Sequence, residues 1–258
     1  VSRRFILTPF FIDHFEQGLL PLAGACWDVN LPALPPGSPQ GRVASLLRPL
    51  SDLVAETASQ GGIPVSISGD CLSAIGVAAG LQRAGIDPAV VWLDAHGDFN
   101  TWETTISGFL GGMPMAMLVG RGEQTIAQAV DLRPIEETRV VLADGRDLDH
   151  EEATALADSD ITRVNRVEDL PEVLPGGPLH VHFDTDLVDP TEARAMNYPA
   201  PGGPSGQALK AVFRHLAETN RIVAVSMSSW NPDLDSDGTS RQVCMDLLGV
   251  LSGELKEN

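Results

Sequence analysis

Val90-Val91-Trp92-Leu93-Asp94-Ala95-His96-Gly97-Asp98 decides how this chain is read: a short apolar run, then three polar side chains at alternate positions. The apolar half has the length and β-branched character of a strand buried on both faces. The polar half falls just beyond a strand's carboxyl end, where open α/β sheets bind their ligands. Two other runs share the plan. Ile63–Ser68 leads into Gly69-Asp70-Cys71, and Leu179–Phe183 leads into Asp184-Thr185-Asp186, with Asp189-Pro190 following. Three strands thus bring Asp70, Asp94, Asp98, Asp184, Asp186, one imidazole and one thiol to the same sheet edge.

The rest of the chain alternates in the same rhythm. Val140–Ala143 and Ile222–Ser226 read as further strands. Helices are expected from about Arg42 to Gln60, over Leu72–Ala84, Glu151–Ala157, Ser205–Thr219 and Thr239–Leu251. Val1–Phe11 contains two arginines ahead of Phe5-Ile6-Leu7, but no small-residue cleavage site follows, so it reads as a first core strand rather than a signal peptide. Leu31–Gly41, with four prolines, is a surface loop and not a domain boundary. There is no internal repeat. Short apolar strands separated by amphipathic helices predict an α/β fold, a three-layer αβα arrangement with a central, mainly parallel sheet, formed as a single domain over residues 1–258.

Composition narrows the partners. Seventeen basic against 35 acidic residues leave a formal charge of −18, which argues against nucleic acid or an anionic membrane surface. No apolar run approaches the ~20 residues a membrane span requires. Cys26, Cys71 and Cys244 are too few and too scattered for a disulfide framework, which points to a reducing, cytoplasmic setting. Cys26 and Cys244 are expected to be small buried packing residues; Cys71 sits in the polar cluster.

A lone Asp-x-Asp is weak evidence, since aspartates cap helices and brace turns. Asp-x-His-x-Asp directly after a buried strand is far stronger, because gathering that many carboxylates without a cation is unfavourable. Carboxylates with one imidazole suit Mn(II)-type ions, two of which could turn a water into hydroxide at neutral pH for attack on a planar electrophilic carbon. Read from the residues alone, this is a metallohydrolase without a named substrate.

The segments Val90–Thr101 and Phe183–Pro190 resemble the Asp-Ala-His-x-Asp and Asp-x-Asp-x-x-Asp-Pro motifs of the arginase/agmatinase (ureohydrolase) superfamily. Ser107-Gly108-Phe109-Leu110-Gly111-Gly112-Met113-Pro114, Pro201-Gly202-Gly203 and Trp230-Asn231-Pro232 resemble three more of its landmarks, in order, over roughly residues 60–250. The resemblance implies an arginase-like fold and two Mn(2+) ions per chain. One would be held by Cys71, Asp94, Asp98 and Asp184, the other by His96, Asp94, Asp184 and Asp186. Asp94 and Asp184 would bridge, and Asp94, Asp98 and Asp184 would carry the catalytic chemistry. Asn100 and Ser107 would meet a substrate α-carboxylate and Asp149 its α-amino group. A trimer or hexamer of identical chains is implied as well.

Three positions depart from the pattern. Cys71 replaces a histidine ligand, so its metal position should hold Mn(II) less tightly, prefer another ion or stand empty; a branch resembling the N-hydroxyarginine hydrolase of D-cycloserine biosynthesis shares such a cysteine. Gly111 replaces a histidine that shuttles protons. Ser229 replaces the glutamate that pairs with a guanidinium, a loss worth ~2–4 kcal/mol at a partly buried site. The leading expectation is hydrolysis of a C–N bond in a guanidino or N-hydroxyguanidino amino acid. The alternatives are a formimino or other non-guanidinium C–N bond, and a metal-poor binding or regulatory relative. His180 and His182 are expected to be hydrogen-bonded core residues, with a role behind the metal ligands as the other option. His14, His150 and His215 should lie at the surface, Trp92 in the core, Trp230 on the pocket wall and Glu103 in a solvated loop.

Overall fold

The computed structural model describes residues 1–219 and 221–253. Its strands are β1 (Arg3–Thr8), β2 (Phe10–Phe11), β3 (His14–Phe15), β4 (Asp28–Val29), β5 (Ile63–Ser68), β6 (Ala89–Asp94), β7 (Val140–Asp144), β8 (Thr162–Val164), β9 (Leu179–Asp184) and β10 (Ile222–Ser228). Its α-helices are α1 (Pro39–Ser59), α2 (Ser73–Arg83), α3 (Pro114–Leu118), α4 (Thr125–Ala129), α5 (His150–Ala157), α6 (Leu170–Val173), α7 (Gly206–Glu218) and α8 (Thr239–Ser252). Eight strands form one sheet in the order β4-β1-β5-β10-β9-β6-β7-β8, and every neighbouring pair is parallel.

Alternation along the strands makes the two faces. Val65, Val91, Val181, Phe183 and Val225 point into the apolar layer shared with α7 and α8 through Phe213 and Leu247. Val90, Trp92, Leu142 and Ala224 point into the layer under α1 and α2, with Leu50 and Ile75. Burial on both faces is what drives a parallel sheet inward and leaves its chemistry to the strand ends. The long helices α1 and α7 begin where a serine side chain satisfies a free amide. The Ser38 hydroxyl accepts from Gly41 N at 3.2 Å ahead of α1, and Ser205 does the same for Ala208 N ahead of α7.

The core elements lie where the sequence pattern puts them, including β5 over Ile63–Ser68. Three expectations are corrected. Val1–Phe11 is not one strand, because β1 stops at Thr8 and Pro9, which has no amide to donate, separates it from β2, which pairs antiparallel with β3. The edge strands β4 and β8 fall outside the expected elements; they are two and three residues long and largely unburied, too short to carry a period. Cys26 is exposed rather than packed, while Cys244 is buried as expected.

Helix α2 packs closely on α1 at its two glycines, Gly76 and Gly80. A Cβ on Gly80 would stand 2.6 Å from Val54 Cβ and 2.7 Å from the Ser51 carbonyl oxygen. In a helix interior alanine is ordinarily favoured over glycine by about 1 kcal/mol. Here the clash reverses the sign. Gly80→Ala is expected to lower stability in urea unfolding by about 1–3 kcal/mol, with Val54→Ala in the same chain recovering part of the loss. A neutral or stabilising Gly80→Ala would contradict the close approach of α1 and α2.

Candidate metal centre

The carboxyl ends of β5, β10, β9 and β6, four neighbours at the middle of the sheet, converge on one cavity of about 330 Å³. β6 supplies Asp94 at its last position and then His96 and Asp98; β9 supplies Asp184 and then Asp186; β5 leads to Asp70 and Cys71; β10 leads to Ser228 and Ser229. The turns that follow are bent. Asp98, Asp144 and Ser229 all take positive φ (49°, 86° and 75°), a conformation non-glycine residues rarely adopt and one that concentrates at functional sites.

Asp94, Asp98, Asp184 and Asp186 are each at most 6% exposed. His96 Nδ1 lies 3.0 Å from Asp186 Oδ2 and 3.5 Å from Asp94 Oδ1. Cys71 Sγ lies 2.8 Å from Asp184 Oδ2 and 3.1 Å from Ser228 Oγ, and the Ser229 hydroxyl donates to the same Asp184 oxygen. Asp98 Oδ2 is buried and has no hydrogen-bond partner among the described residues. Among the described residues, two sets of ligand atoms fall within 4.8 Å of one another: Cys71, Asp94, His182 and Asp184, and Asp94, His96 and Asp186.

The electrostatics follow from this crowding. Burial, then repulsion from Asp94 and Asp184, pushes Asp98 well above the usual carboxylate range; burial, then Asp186 and Asp94, does the same to Asp184. Asp186 is pushed up to about 6 by burial and Asp94, although His96 opposes the rise. Burial disfavours a charged His96, yet Asp186 and Asp94 outweigh it and hold the ring at about 12. Burial and the carboxylates raise Cys71 well above an ordinary thiol. One imidazole is too little positive charge for so many buried acids, and an unpartnered carboxylate oxygen is left over. The donor set fits divalent cations.

The arginase-family profile matches residues 23–251. The chain belongs to the arginase family. Among its relatives, an arginase of Bacillus caldovelox is 32% identical over 228 residues, which is 82% of this chain and 76% of that one. An arginase of Schizosaccharomyces pombe is 33% identical over 205 residues, 74% of this chain and 64% of its own. The solved B. caldovelox arginase superposes with a TM-score of 0.82 at 24% identity, covering 100% of this chain and 99% of that one. The formimidoylglutamase of Bacillus subtilis has the same fold, with a TM-score of 0.74 at 14% identity over 100% and 88% of the two chains. The chain is thus an arginase-like hydrolase, built on the α/β sheet that these proteins share.

Within this arginase-family pocket the other expected residues take distinct places. Asn100 is buried, and its amide donates to Asp149 Oδ2 at 3.3 Å; Ser107 is exposed at the rim and accepts from Phe109 N. Gly111 is backed by an aromatic ring: a Cβ there would stand 2.5 Å from the ring of Phe109, which packs between Phe11 and Tyr198. Trp230 does not wall the pocket. It is buried in the α7/α8 layer, and its indole N–H donates to Asp235 Oδ2 at 2.8 Å. Trp92 is wholly buried as expected, but its Nε1 donates to Asp94 Oδ2 at 3.0 Å and so aims a metal-cluster carboxylate. Glu103, His14, His150 and His215 are exposed. Asp70 and Asp189 brace turns: Asp70 accepts from Leu72 N and Ile12 N, Asp189 from Thr191 N. Arg146 ties the loop after β7 to the loop after β9, pairing with Asp144 and donating to the carbonyls of Asp186, Leu187 and Ala200.

Glu152 is the lining residue that sequence reasoning missed. It is 3% exposed, accepts from Phe99 N at 2.8 Å and closes a capping box with Asp149 at the start of α5. The Asp149-x-x-Glu152 spacing was the available signal, and it reads equally well as a simple helix cap. Burial raises Glu152 to about 7 despite the backbone amides that oppose the rise. Its folded value lies above its unfolded one, so its contribution is complete below about pH 4.3 and is lost as pH rises through about 7. Chelator-treated protein should therefore lose stability between about pH 5 and pH 8, and Glu152→Gln should remove about 3 kcal/mol of that loss. Equal pH profiles for the two proteins in chemical denaturation would contradict this account.

Proposed function

We propose that this chain is a divalent-metal C–N hydrolase of amino acids that end in a guanidino or N-hydroxyguanidino group, with the hydroxylated form preferred. The observation that carries this reading is that one cavity has the acid cluster on its floor and Asn100, Ser107, Asp149 and Glu152 along its wall. A head group with both charges would set its ammonium against Asp149 and Glu152 and its carboxylate toward Asn100 and Ser107. The reacting carbon would then lie over the acids.

Two divalent ions would be held here, a Mn(II)-type one by His96, Asp94 and Asp186 and the other by the Cys71 and Asp184 side of the cluster. Their contribution is to acidify a water at neutral pH. The chain's own groups do the rest. Asp94 is aimed by Trp92, and Asp184 is held by Cys71 and Ser229. Asp98 has an oxygen uncommitted to any protein donor, and we assign it the handling of the proton that reaches the leaving amine. With Gly111 and the Phe109 ring where a proton-carrying imidazole would stand, a leaving nitrogen of lower basicity is favoured. Ser229 offers a neutral hydroxyl instead of a carboxylate, which also favours an uncharged end group and leaves a formimino substrate as the second reading.

The experiment is a turnover assay of metal-loaded protein on arginine, N-hydroxyarginine, agmatine and formiminoglutamate, with metal quantified in the same sample. N-hydroxyarginine is expected to be cleaved fastest, with arginine weak. Turnover of formiminoglutamate alone selects the second reading, and no turnover of any of them with metal bound removes both. Ser229→Glu should shift the arginine-to-N-hydroxyarginine ratio of kcat/KM toward arginine by about 10-fold or more, the scale of one charge-assisted contact.

A further inference from the structure

We propose that His182, from inside β9, is a metal ligand: it restores, from two strands away in the sheet, the imidazole that Cys71 displaces, so that the first metal position is Cys71, Asp94, His182 and Asp184 and takes a zinc-type ion in preference to Mn(II). This rests on the reading above only in that the acid cluster holds divalent ions.

The geometry comes from the register of the sheet. His182 lies beside Ser226 on β10 and Trp92 on β6, and it points to the same face as Asp184, two residues on. It is wholly buried, and its ring lies 4.0 Å from that of Trp92. One ring nitrogen falls within 4.8 Å of Cys71 Sγ and of carboxylate oxygens of Asp94 and Asp184. An aspartate–thiol cluster alone would be ambiguous, but the unpartnered Asp98 oxygen beside it independently calls for a cation.

One of the two proton arrangements open to these side chains leaves the right nitrogen free. Ser226 Oγ lies 2.8 Å from His182 Nδ1 and 2.8 Å from His180 Nε2. A hydroxyl has one proton, so it donates to one ring and accepts from the other. If it donates to His180, His182 carries its proton on Nδ1 and turns the Nε2 lone pair outward. Among the described residues, the hydrogen-bonding neighbour of Nε2 is Ser228 Oγ at 3.5 Å, the edge of the range. An imidazole held through one nitrogen by an outer partner and open at the other is how histidine ligands are arranged. Further along the same face of the sheet, His180 Nδ1 and Ser66 Oγ have no hydrogen-bond partner among the described residues. Thiolate and imidazole with two carboxylates form a softer set than four oxygens and suit Zn(II) or Co(II) over Mn(II).

The test uses the full chain with Zn(II), Co(II) and Mn(II) added singly, reading stoichiometry and affinity by calorimetry. His182→Asn keeps an amide at the Nδ1 position for Ser226 and removes the distal nitrogen, while His182→Gln keeps a distal oxygen. Wild type is expected to bind Zn(II) tightly at one more position than Mn(II). His182→Asn should weaken that position by more than about 100-fold, beyond what loss of an outer partner produces, and His182→Gln should recover part of it. If either variant fails to fold, the unaltered Co(II) protein still decides. Two strongly shifted, solvent-exchangeable imidazole N–H resonances would report His96 and His182; a single one would overturn the proposal. Two ions bound with the His182→Asn affinity unchanged would sink His182 as a ligand and leave the hydrolase reading standing, whereas no ion bound by wild type would sink both.

Discussion

Carboxylates of like charge, gathered where water barely reaches, constrain the rest of this molecule. Asp98, Asp184 and Asp186 line one cavity with Asp94 at the end of β6 among them, all at 6% exposure or less. In so poor a solvent each destabilises the ionised form of the next. His96 supplies positive charge from one side, and the Cys71, Ser228 and Ser229 group supplies hydrogen bonds from another. Neither is enough to satisfy Asp98. The arrangement makes physical sense as a cage for dications, and an acidic pocket of this kind would also draw in a cationic substrate.

Holding such a floor together falls to the scaffold. A parallel sheet buried on both faces gives rigid strand ends at fixed spacing, and the four central strands place their last residues side by side. Positive φ at Asp98, Asp144 and Ser229 turns the chain sharply there, at a cost of order 1–3 kcal/mol each. Arg146 locks two of the loops by their carbonyls. Stability is drawn from the apolar layers and used at the strand ends, as expected where a site must be preorganised.

Relative to the family pattern, the departures lie together in space. Cys71 and Ser229 lie against Asp184, and Gly111, backed by the ring of Phe109, lines the same cavity. Substitutions this close are coupled, so each is better understood through its neighbours than alone. A thiol at one corner makes an imidazole at the next useful.

Much was legible in the chain itself. Val90–Leu93, Ile63–Ser68 and Leu179–Phe183 are apolar enough to be buried on both faces, and the polar residues after them could only fall at the sheet edge; this determined the fold class and the Asp/His cluster. Period and residue type act locally, so a linear reading reaches them. What only the tertiary structure decided depends on which strands are neighbours and on where side chains end. That β9 lies between β10 and β6 puts His182 against Ser226 and Trp92 and within reach of Cys71, contacts between residues more than 100 positions apart in one case. The same holds for Trp230, which turns away from the pocket, for Asp70, which braces a turn, and for Glu152, whose burial no local pattern records. Sequence alternation says which face a side chain takes; only packing says what else arrives there.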